Sequence, residues 1–309
     1  MKNVRTVFMG TPHIAKVLLE NMIQNGIHIV LVVTQPDRKV GRKQNIVYSP
    51  VKECALENNI PVFQPHHIKQ EFDEVLKADP ELIVTCAFGQ IVPSEILDYP
   101  KYGCVNLHGS LLPKYRGAAP IQRAIWNREK ESGMSLMKMV PQMDAGPVFA
   151  TKKISIDDNE TSSTLFDKMA DAASQLLIEN YDALCDTEAT YVDQDEKLVS
   201  YAPKISKEDE RIDLSKTDEE ILAQIRALSQ NPGGYIQVNQ KKFKIYDFEY
   251  VPGPIDEPFV WVGKLQRGLG LNLQKGTLII KSCQMEGKPV VSGLDFANGQ
   301  GQNLKGKKV

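Results

Sequence analysis

The sequence lacks long apolar runs, a signal-peptide core and a large net charge. Its richest apolar run, residues 27–33, is far shorter than the roughly 18 to 20 residues that a membrane-spanning helix needs. We therefore expect a cytoplasmic protein without a membrane segment. A net charge of −2, with 42% hydrophobic and 25% charged residues, excludes disordered and fibrous classes and indicates no partner by bulk charge.

Cysteine is scarce, which argues against a disulfide framework and against a zinc site. The five cysteines are odd in number, form no CxxC pair and have no histidine at zinc-ligand spacing. We expect them to be reduced and mostly structural, and we expect no bound metal. They are Cys54, Cys86, Cys104, Cys185 and Cys283.

The first glycine-containing turn lacks the dinucleotide-binding pattern. FMGTPH, at residues 8–13, contains no G-x-G-x-x-G, and no acidic residue ends the next predicted strand. A tight turn from strand to helix is the better interpretation, with exposed N–H groups able to hold a polar ligand edge. Thr11 is the expected N-cap, and Pro12 suits the first helical position.

Apolar periodicity predicts alternating strands and helices over residues 1–189. Residues 82–87, the core of the predicted strand 81–88, are nearly all apolar, which is typical of a parallel strand covered on both faces of its sheet. We expect a Rossmann-like α/β domain with a mostly parallel, twisted sheet. Strands are predicted at 4–9, 27–33, 61–63, 81–88, 103–107, 135–140 and 148–156, and helices at 14–22, 50–58, 72–77, 118–127 and 161–184.

The pattern changes after residue 189. Residues 190–207 are polar without sustained periodicity, which predicts a linker, and 218–228 fit a short amphipathic helix. Short strand candidates separated by turn residues then predict a small OB-like β-barrel domain over 208–309. These candidates are 236–238, 243–251, 259–262, 270–273, 277–282 and 289–291.

Basic residues concentrate near the end of the sequence. From Val260 onward there are eight Lys or Arg and only two Asp or Glu. Such an excess favours a polyanionic partner, although any single lysine here is most simply a solvated surface charge. The eight are Lys264, Arg267, Lys275, Lys281, Lys288, Lys305, Lys307 and Lys308.

The densest polar constellation lies in VNLHGSLLPKYRGAAPIQ, where a predicted strand ends in Asn106 and His108. Two residues apart on a strand, they share a face and can project beyond the carboxyl edge, where open α/β sheets place ligands. A lone histidine at a strand end is more often structural. The neighbouring asparagine favours catalysis, because Asn offers an oxyanion donor and His a proton acceptor.

Asp144 is a third candidate, in the polar turn PQMDAGPVF between two predicted strands. It can stabilise its own backbone in an Asx-turn. If the turn folds over His108, the carboxylate instead orients the imidazole and increases its basicity. The residues by themselves leave both interpretations open.

These motifs resemble those of the methionyl-tRNA formyltransferase family, from the first predicted strand to the last residues. SLLP with Asn106, His108 and Asp144 is shared by all folate-dependent formyltransferases. The TQPDR loop and the appended β domain indicate the tRNA branch. The segments that carry the resemblance are FMGTP, VVTQPDRKVGRK, SPVKECALENNIPVFQP, FGQIVP, GCVNLHGSLLPKYRGAAPIQ, MVPQMDAG, SKEDERIDL and GKKV.

The resemblance implies a formyltransferase-type fold, a catalytic set and a folate site. Asn106, His108 and Asp144 would act on the formyl group of 10-formyltetrahydrofolate, the formyl donor. The folate would contact residues that follow two predicted strands. They are Ser110, Leu111, Leu112 and Pro113, with Phe88, Gly89, Gln90 and Ile91 as the wall for the pterin.

The resemblance also implies contacts with tRNA, with the β domain over residues 208–309 as a tRNA-binding domain whose eight basic residues are candidates for contact with the tRNA backbone. The loop over residues 34–50 would close on the acceptor end, with Arg42 at its tip. Arg38, Lys39 and Lys43 would add attraction for phosphate. The alternative for such a charged loop is a solvated, mobile surface.

By resemblance, then, the chain is a transferase that formylates the methionine on initiator tRNA, a step of translation initiation. It would need neither a metal nor a covalent enzyme intermediate, and we expect a monomer. One alternative is a folate-dependent formyltransferase acting on an amino sugar nucleotide, and another is a hydrolase that releases formate. A non-catalytic RNA-binding module is the alternative outside the enzymes.

Overall fold

A computed structural model describes residues 1–40 and 44–309. Arg42 and Lys43, two of the predicted tRNA contacts, lie outside the described residues. The chain forms two compact units. One comprises residues 1–120, 131–155 and 166–203, and the other comprises 121–130, 156–165 and 204–309.

A seven-stranded sheet with the order β5-β2-β1-β6-β7-β8-β9 lies in the first unit. The pairs from β5 to β7 are parallel, and the last two pairs are antiparallel, which confirms the predicted mostly parallel sheet. A separate hairpin joins β3 to β4. The strands are β1 (Thr6–Gly10), β2 (Ile29–Val33), β3 (Arg38–Val40), β4 (Asn45–Val47), β5 (Val62–Phe63), β6 (Leu82–Cys86), β7 (Cys104–His108), β8 (Glu131–Lys138) and β9 (Val148–Ser155).

Helices follow most of these strands, as the periodicity predicts. Every residue of β1 and β6 is buried, as expected for parallel strands in the middle of a covered sheet. The helices are α1 (His13–Gln24), α2 (Pro50–Glu57), α3 (Asp73–Lys77), α4 (Ser94–Leu97), α5 (Pro120–Trp126) and α6 (Ser162–Leu184). No helix in the described part of the chain is both long and apolar enough to pass through a membrane.

The expected role of Thr11 as helix cap is wrong. Helix α1 begins at His13 after Pro12, and no side chain caps it. The Thr11 hydroxyl donates instead to the carbonyl oxygen of Phe88, 3.0 Å away. The Thr11 hydroxyl therefore makes a long-range hydrogen bond to the end of the neighbouring strand instead of accepting one from the first turn of the helix.

The second unit contains an antiparallel sheet of six strands, consistent with the expected small barrel. Its core is built on aromatic rings, with Phe243 at 5.7 Å from Trp261 and 4.9 Å from Phe296 between ring centroids. The elements are α7 (Asp218–Ala227), β10 (Gly234–Val238), β11 (Lys241–Pro252), β12 (Trp261–Leu265), β13 (Gly268–Asn272), β14 (Gly276–Met285), β15 (Val291–Ser292) and α8 (Gly293–Asn298).

A buried carboxylate ties α7 to the sheet of this unit. Asp218 is 2% exposed and accepts hydrogen bonds from the Tyr250 hydroxyl at 2.7 Å and from the backbone N–H groups of Gln274 and Lys275, both at 2.8 Å. Three donors compensate for the desolvation of one carboxylate. The contact holds the turn between β13 and β14 against the helix start.

Replacing Asp218 with Ala should therefore destabilise the protein markedly. The substitution leaves two backbone N–H groups and a tyrosine hydroxyl without their acceptor, at a cost of about 2 to 4 kcal/mol. Urea denaturation checks the free energy of unfolding, with the exposed neighbour Glu219→Ala as the matched control. An unchanged unfolding midpoint for Asp218→Ala would contradict this role.

All five cysteines are free and buried, as expected for structural thiols. Burial raises the pKa of the Cys54 and Cys185 thiols to about 11 and of Cys86 and Cys283 to about 12, and it raises that of Cys104 further still. Thiols with a raised pKa and no access to solvent react slowly, because the thiolate is the nucleophile.

Native protein at pH 8 should therefore react negligibly with a disulfide reagent such as dithionitrobenzoate. The same protein in guanidinium should release colour for all five thiols. Fast labelling of even one thiol in the folded protein would show that the site is open to solvent.

Candidate active site

Four parallel strands, β1, β2, β6 and β7, end at one edge of the sheet, and polar groups join the first three of these ends. The Thr11 hydroxyl and the Gln35 side-chain amide donate to the Phe88 carbonyl at 3.0 and 3.1 Å. The backbone N–H of Gln35 donates to the Thr11 hydroxyl at 3.3 Å. Hydrogen bonds therefore link the ends of these three strands, at the sheet edge where open α/β sheets bind ligands.

Asn106 lies on β7 with its amide oriented by a neighbouring strand. The Thr85 hydroxyl on β6 donates to Asn106 Oδ1 at 2.8 Å, and the two residues are paired in register. Because the amide oxygen is engaged there, the amide nitrogen points the other way. That nitrogen can donate a hydrogen bond to a substrate oxygen.

His108 ends the same strand and is only 5% exposed. Its Nε2 lies 2.9 Å from the backbone oxygen of Tyr115. A carbonyl oxygen only accepts, so Nε2 carries a proton. The other ring nitrogen, Nδ1, lies 3.6 Å from Asp144 Oδ1, beyond hydrogen-bond length but within ion-pair range when the ring is protonated.

Asp144 reaches His108 because the loop from β8 to β9 folds back along β7. The loop starts beside the first residue of β7, where Met139 N–H donates to Cys104 O at 2.8 Å. Asp144 Oδ2 accepts from the backbone N–H of Gly117 at 2.9 Å, and its φ of 52° is left-handed. Of the two interpretations of this turn, the structure has the one in which it folds over the imidazole.

The arrangement brings a carboxylate, an imidazole and an amide donor to one strand end. The carboxylate and the imidazole can share or pass a proton, because they lie 3.6 Å apart and their side chains are only 14% and 6% exposed. The amide of Asn106, two residues back on the same face, can stabilise negative charge on an oxygen. Together these groups suit acyl transfer, in which an oxyanion forms and a proton moves.

The segment predicted to line a folate site is held by β8. Ser135 Oγ donates to Ser110 O at 2.7 Å and accepts from Leu112 N–H at 3.0 Å. The Ser110 hydroxyl is itself used within the turn, donating to Lys114 O at 2.6 Å. The side chains of Leu111, Leu112 and Pro113 stay half-buried.

The predicted pterin wall follows β6, the neighbour of β7. Phe88 is buried, and Gln90 uses both ends of its amide, accepting from Ile68 N–H at 2.8 Å and donating to Pro65 O at 3.1 Å. Gly89 has a φ of 90° and is exposed, and the Ile91 side chain is 55% exposed. Phe88 and Gln90 therefore support the turn, while Gly89 and Ile91 form its outer surface.

The loop predicted to meet tRNA contains the β3–β4 hairpin. Arg38 and Lys39 lie exposed on β3. An ion pair closes the base of the hairpin, with Lys52 Nζ 2.7 Å from Asp37 Oδ2. Two basic side chains thus extend into solvent from an anchored hairpin.

Gln194 and Arg116 are contacts of the site that sequence reasoning missed. Gln194 donates to the backbone oxygen of Asp144 at 2.9 Å, and Arg116, 1% exposed, donates to Gln194 Oε1 at 3.0 Å. Gln194 lies in a polar stretch without periodicity, so no local signal marks it.

Across residues 1–40 and 44–309, no group of three or more His, Cys, Asp or Glu is placed to hold a metal ion.

Comparison with known families matches both units of the chain. A formyl transferase family model matches residues 2–181, and a model described as the formyl transferase C-terminal domain matches residues 204–301. The first model alone spans more than half of the chain.

Relatives and solved structures agree with this match. The chain is 39% identical to a methionyl-tRNA formyltransferase of Malacoplasma penetrans over 302 residues, covering 97% of this chain and 95% of the relative. It is 41% identical to a methionyl-tRNA formyltransferase of Lactobacillus johnsonii over 301 residues, covering 96% of each. HypX from Aquifex aeolicus, solved with tetrahydrofolic acid, has the same fold at a TM-score of 0.74 and 14% identity, covering 100% of this chain and 49% of HypX.

Family models over both units and full-length relatives at about 40% identity leave one assignment. The chain belongs to the formyl transferase family, as a member of its methionyl-tRNA formyltransferase branch.

Proposed function

We propose that this enzyme transfers the formyl group of 10-formyltetrahydrofolate to the α-amino group of methionine on initiator tRNA. One observation supports it most: the carboxylate of Asp144 lies 3.6 Å from the imidazole of His108, at the strand end that also carries Asn106. The relatives named for this reaction match the chain over nearly its full length. They do not favour the amino sugar nucleotide alternative or the RNA-binding module.

The reaction replaces one C–N bond with another. The methionine amine attacks the formyl carbon, and the carbonyl oxygen becomes an oxyanion. Asn106 Nδ2 donates to that oxygen, and an imidazolium at His108 stabilises its charge. Asp144, directly or through a water molecule, takes the proton that the amine loses and returns it to the folate nitrogen as the bond from that nitrogen to carbon breaks.

The strand ends have the surface that a folate needs. A flat heteroaromatic ring binds between apolar side chains and backbone polar groups. Ile91 and Leu112 supply exposed or half-buried apolar surface after β6 and β7, two neighbouring strands. HypX, a protein of the same fold, has been solved with tetrahydrofolic acid, and we assign a folate donor to this chain on these grounds.

Two groups of basic residues are candidates for contact with tRNA, the proposed acceptor. Arg38 and Lys39 lie exposed on an anchored hairpin, and Arg42 and Lys43 follow in the sequence. The basic residues near the end of the sequence are partly paired, because Arg267 and Lys281 contact Glu249 at 2.7 and 3.4 Å. The hairpin is therefore the stronger candidate for phosphate contact.

Transfer of label tests the proposed reaction. The enzyme is incubated with 10-formyltetrahydrofolate labelled in the formyl group and with methionylated initiator tRNA. We expect label in the aminoacyl ester, and none in an amino sugar nucleotide offered instead. Formate release without an acceptor would support the hydrolase. Salt-sensitive RNA binding without folate binding would support the binding module. Location in the cytoplasm and a monomeric state stay predictions.

Three single substitutions should each reduce kcat on the order of 100- to 1000-fold. They are Asn106→Ala, His108→Ala and Asp144→Ala. Each change removes a donor or a proton carrier from the transition state, while most packing is preserved. Steady-state kinetics and thermal melts check this, with the exposed Glu95→Ala on α4 as the control. Turnover near the wild-type level in all three variants would refute the catalytic assignment.

The double substitution Arg38→Gln and Lys39→Gln should raise KM for charged tRNA and leave KM for the folate unchanged. Loss of two phosphate contacts should also make KM for tRNA depend less steeply on salt, because fewer counterions are released on binding. The measurement is kinetics over a salt series, with Lys77→Gln, an exposed lysine on α3, as the control. If KM for tRNA depends on salt equally steeply in the double variant and in Lys77→Gln, the hairpin does not contact the tRNA phosphates.

A further inference from the structure

A polar segment, residues 192–202, crosses the two loops that carry the catalytic contacts; we term it the bracing segment. At one end Val192 and Val148 exchange two backbone hydrogen bonds of 2.8 Å, directly after the Asp144 loop. At the other end the Ser200 hydroxyl accepts from Tyr115 N–H at 3.0 Å. The Tyr115 carbonyl is the group that holds His108 Nε2. The bracing segment therefore touches the supports of both His108 and Asp144.

Arg116 anchors the middle of the bracing segment. This guanidinium is 1% exposed, and Nη2 lies 2.7 Å from Glu196 Oε1 while Nε donates to Gln194 Oε1 at 3.0 Å. A buried cation needs such partners, because an unpaired charge removed from water is strongly destabilising. Both partners come from the bracing segment.

Arg116 determines which way the Gln194 amide points. A guanidinium only donates, so the oxygen of the amide faces Arg116 and the nitrogen faces away. That nitrogen, Nε2, donates to the backbone oxygens of Asp144 and Gly146 at 2.9 and 2.7 Å. Both of its hydrogens are used on the loop that carries the catalytic carboxylate.

The backbone of the Asp144 loop turns sharply at the catalytic residue. Asp144 has a φ of 52°, in the left-handed region that Asp adopts more readily than most residues other than glycine. The loop also packs closely on the end of β8, where a Cβ on Gly146 would lie 1.9 Å from Lys138 O. Gln194 and β8 thus both contact the loop backbone.

We propose that Gln194 is a positioning residue for formyl transfer: oriented by Arg116 and Glu196, its amide holds the Asp144 loop so that the carboxylate faces His108. The inference rests on the proposed function for its kinetic consequence, whereas the geometry at His108 is independent of the substrate. Gln194 touches no reacting atom. It acts through Asp144, whose displacement by about 1 Å costs on the order of 100-fold in rate.

Three variants separate positioning from mere stabilisation of the loop. Gln194→Ala removes both donors, and Gln194→Glu keeps the volume and the contact with Arg116 but cannot donate to the two carbonyls. Asp193→Ala, at the exposed neighbour, is the matched control. Each is made in the wild-type background, and Gln194→Ala is also combined with Asp144→Asn.

Kinetics should show a fall in kcat of about 10- to 100-fold for Gln194→Ala and for Gln194→Glu, with KM for both substrates unchanged. In the Asp144→Asn background, Gln194→Ala should cause no further fall, because the group it positions is already inactive. A wild-type kcat in both Gln194 variants, or two effects that multiply, would overturn the proposal.

An NMR measurement keeps this proposal separate from the choice of substrate. The protein has five histidines, and a His108→Asn sample identifies the ring signals of His108 in a 15N spectrum. Gln194→Ala and Gln194→Glu should shift those signals as Asp144→Asn does, and Asp193→Ala should not. Unchanged His108 signals in folded Gln194 variants refute positioning, whatever the enzyme formylates. Absence of any transfer by wild-type protein refutes only the proposed function.

Discussion

The approach of Asp144 to His108 is the contact on which the site depends. Asp144 Oδ1, on the loop after β8, lies 3.6 Å from Nδ1 of His108, at the end of β7. The two residues are far apart in the sequence, so only the tertiary fold brings them together. Gly117 N–H holds the carboxylate and the Tyr115 carbonyl holds the ring, so one short loop orients both partners. A buried imidazole and a half-buried carboxylate interact strongly only while their geometry is maintained, because water screens them little.

Strand periodicity predicted the part of the site that regular structure determines. Asn106 and His108 are two residues apart on a strand, and period two places them on one face at the carboxyl edge. The mostly parallel sheet and the β-rich second unit followed from the same patterns. Asp144 could be named as a candidate in a polar turn, but its contact with His108 could not be predicted, because no spacing rule determines where an irregular loop folds.

Other parts of the site could not be predicted because they depend on contacts between distant segments. Thr11 was expected to cap a helix, but its hydroxyl serves the end of β6. The bracing segment is polar and has no periodicity. A solvated linker has the same composition as an irregular segment that is hydrogen-bonded to the rest of the protein, so the sequence does not distinguish them. Gln194 acquires its role only when Arg116 orients its amide.

A crystal structure with a hydrolysis-resistant analogue of 10-formyltetrahydrofolate would show where the acyl group binds relative to Asn106, His108 and Asp144. We expect the acyl oxygen about 3 Å from Asn106 Nδ2, with the acyl carbon beside the His108 and Asp144 pair. An analogue bound elsewhere, or bound here while the Asp144 carboxylate turns to bulk solvent away from the imidazole, would contradict this expectation.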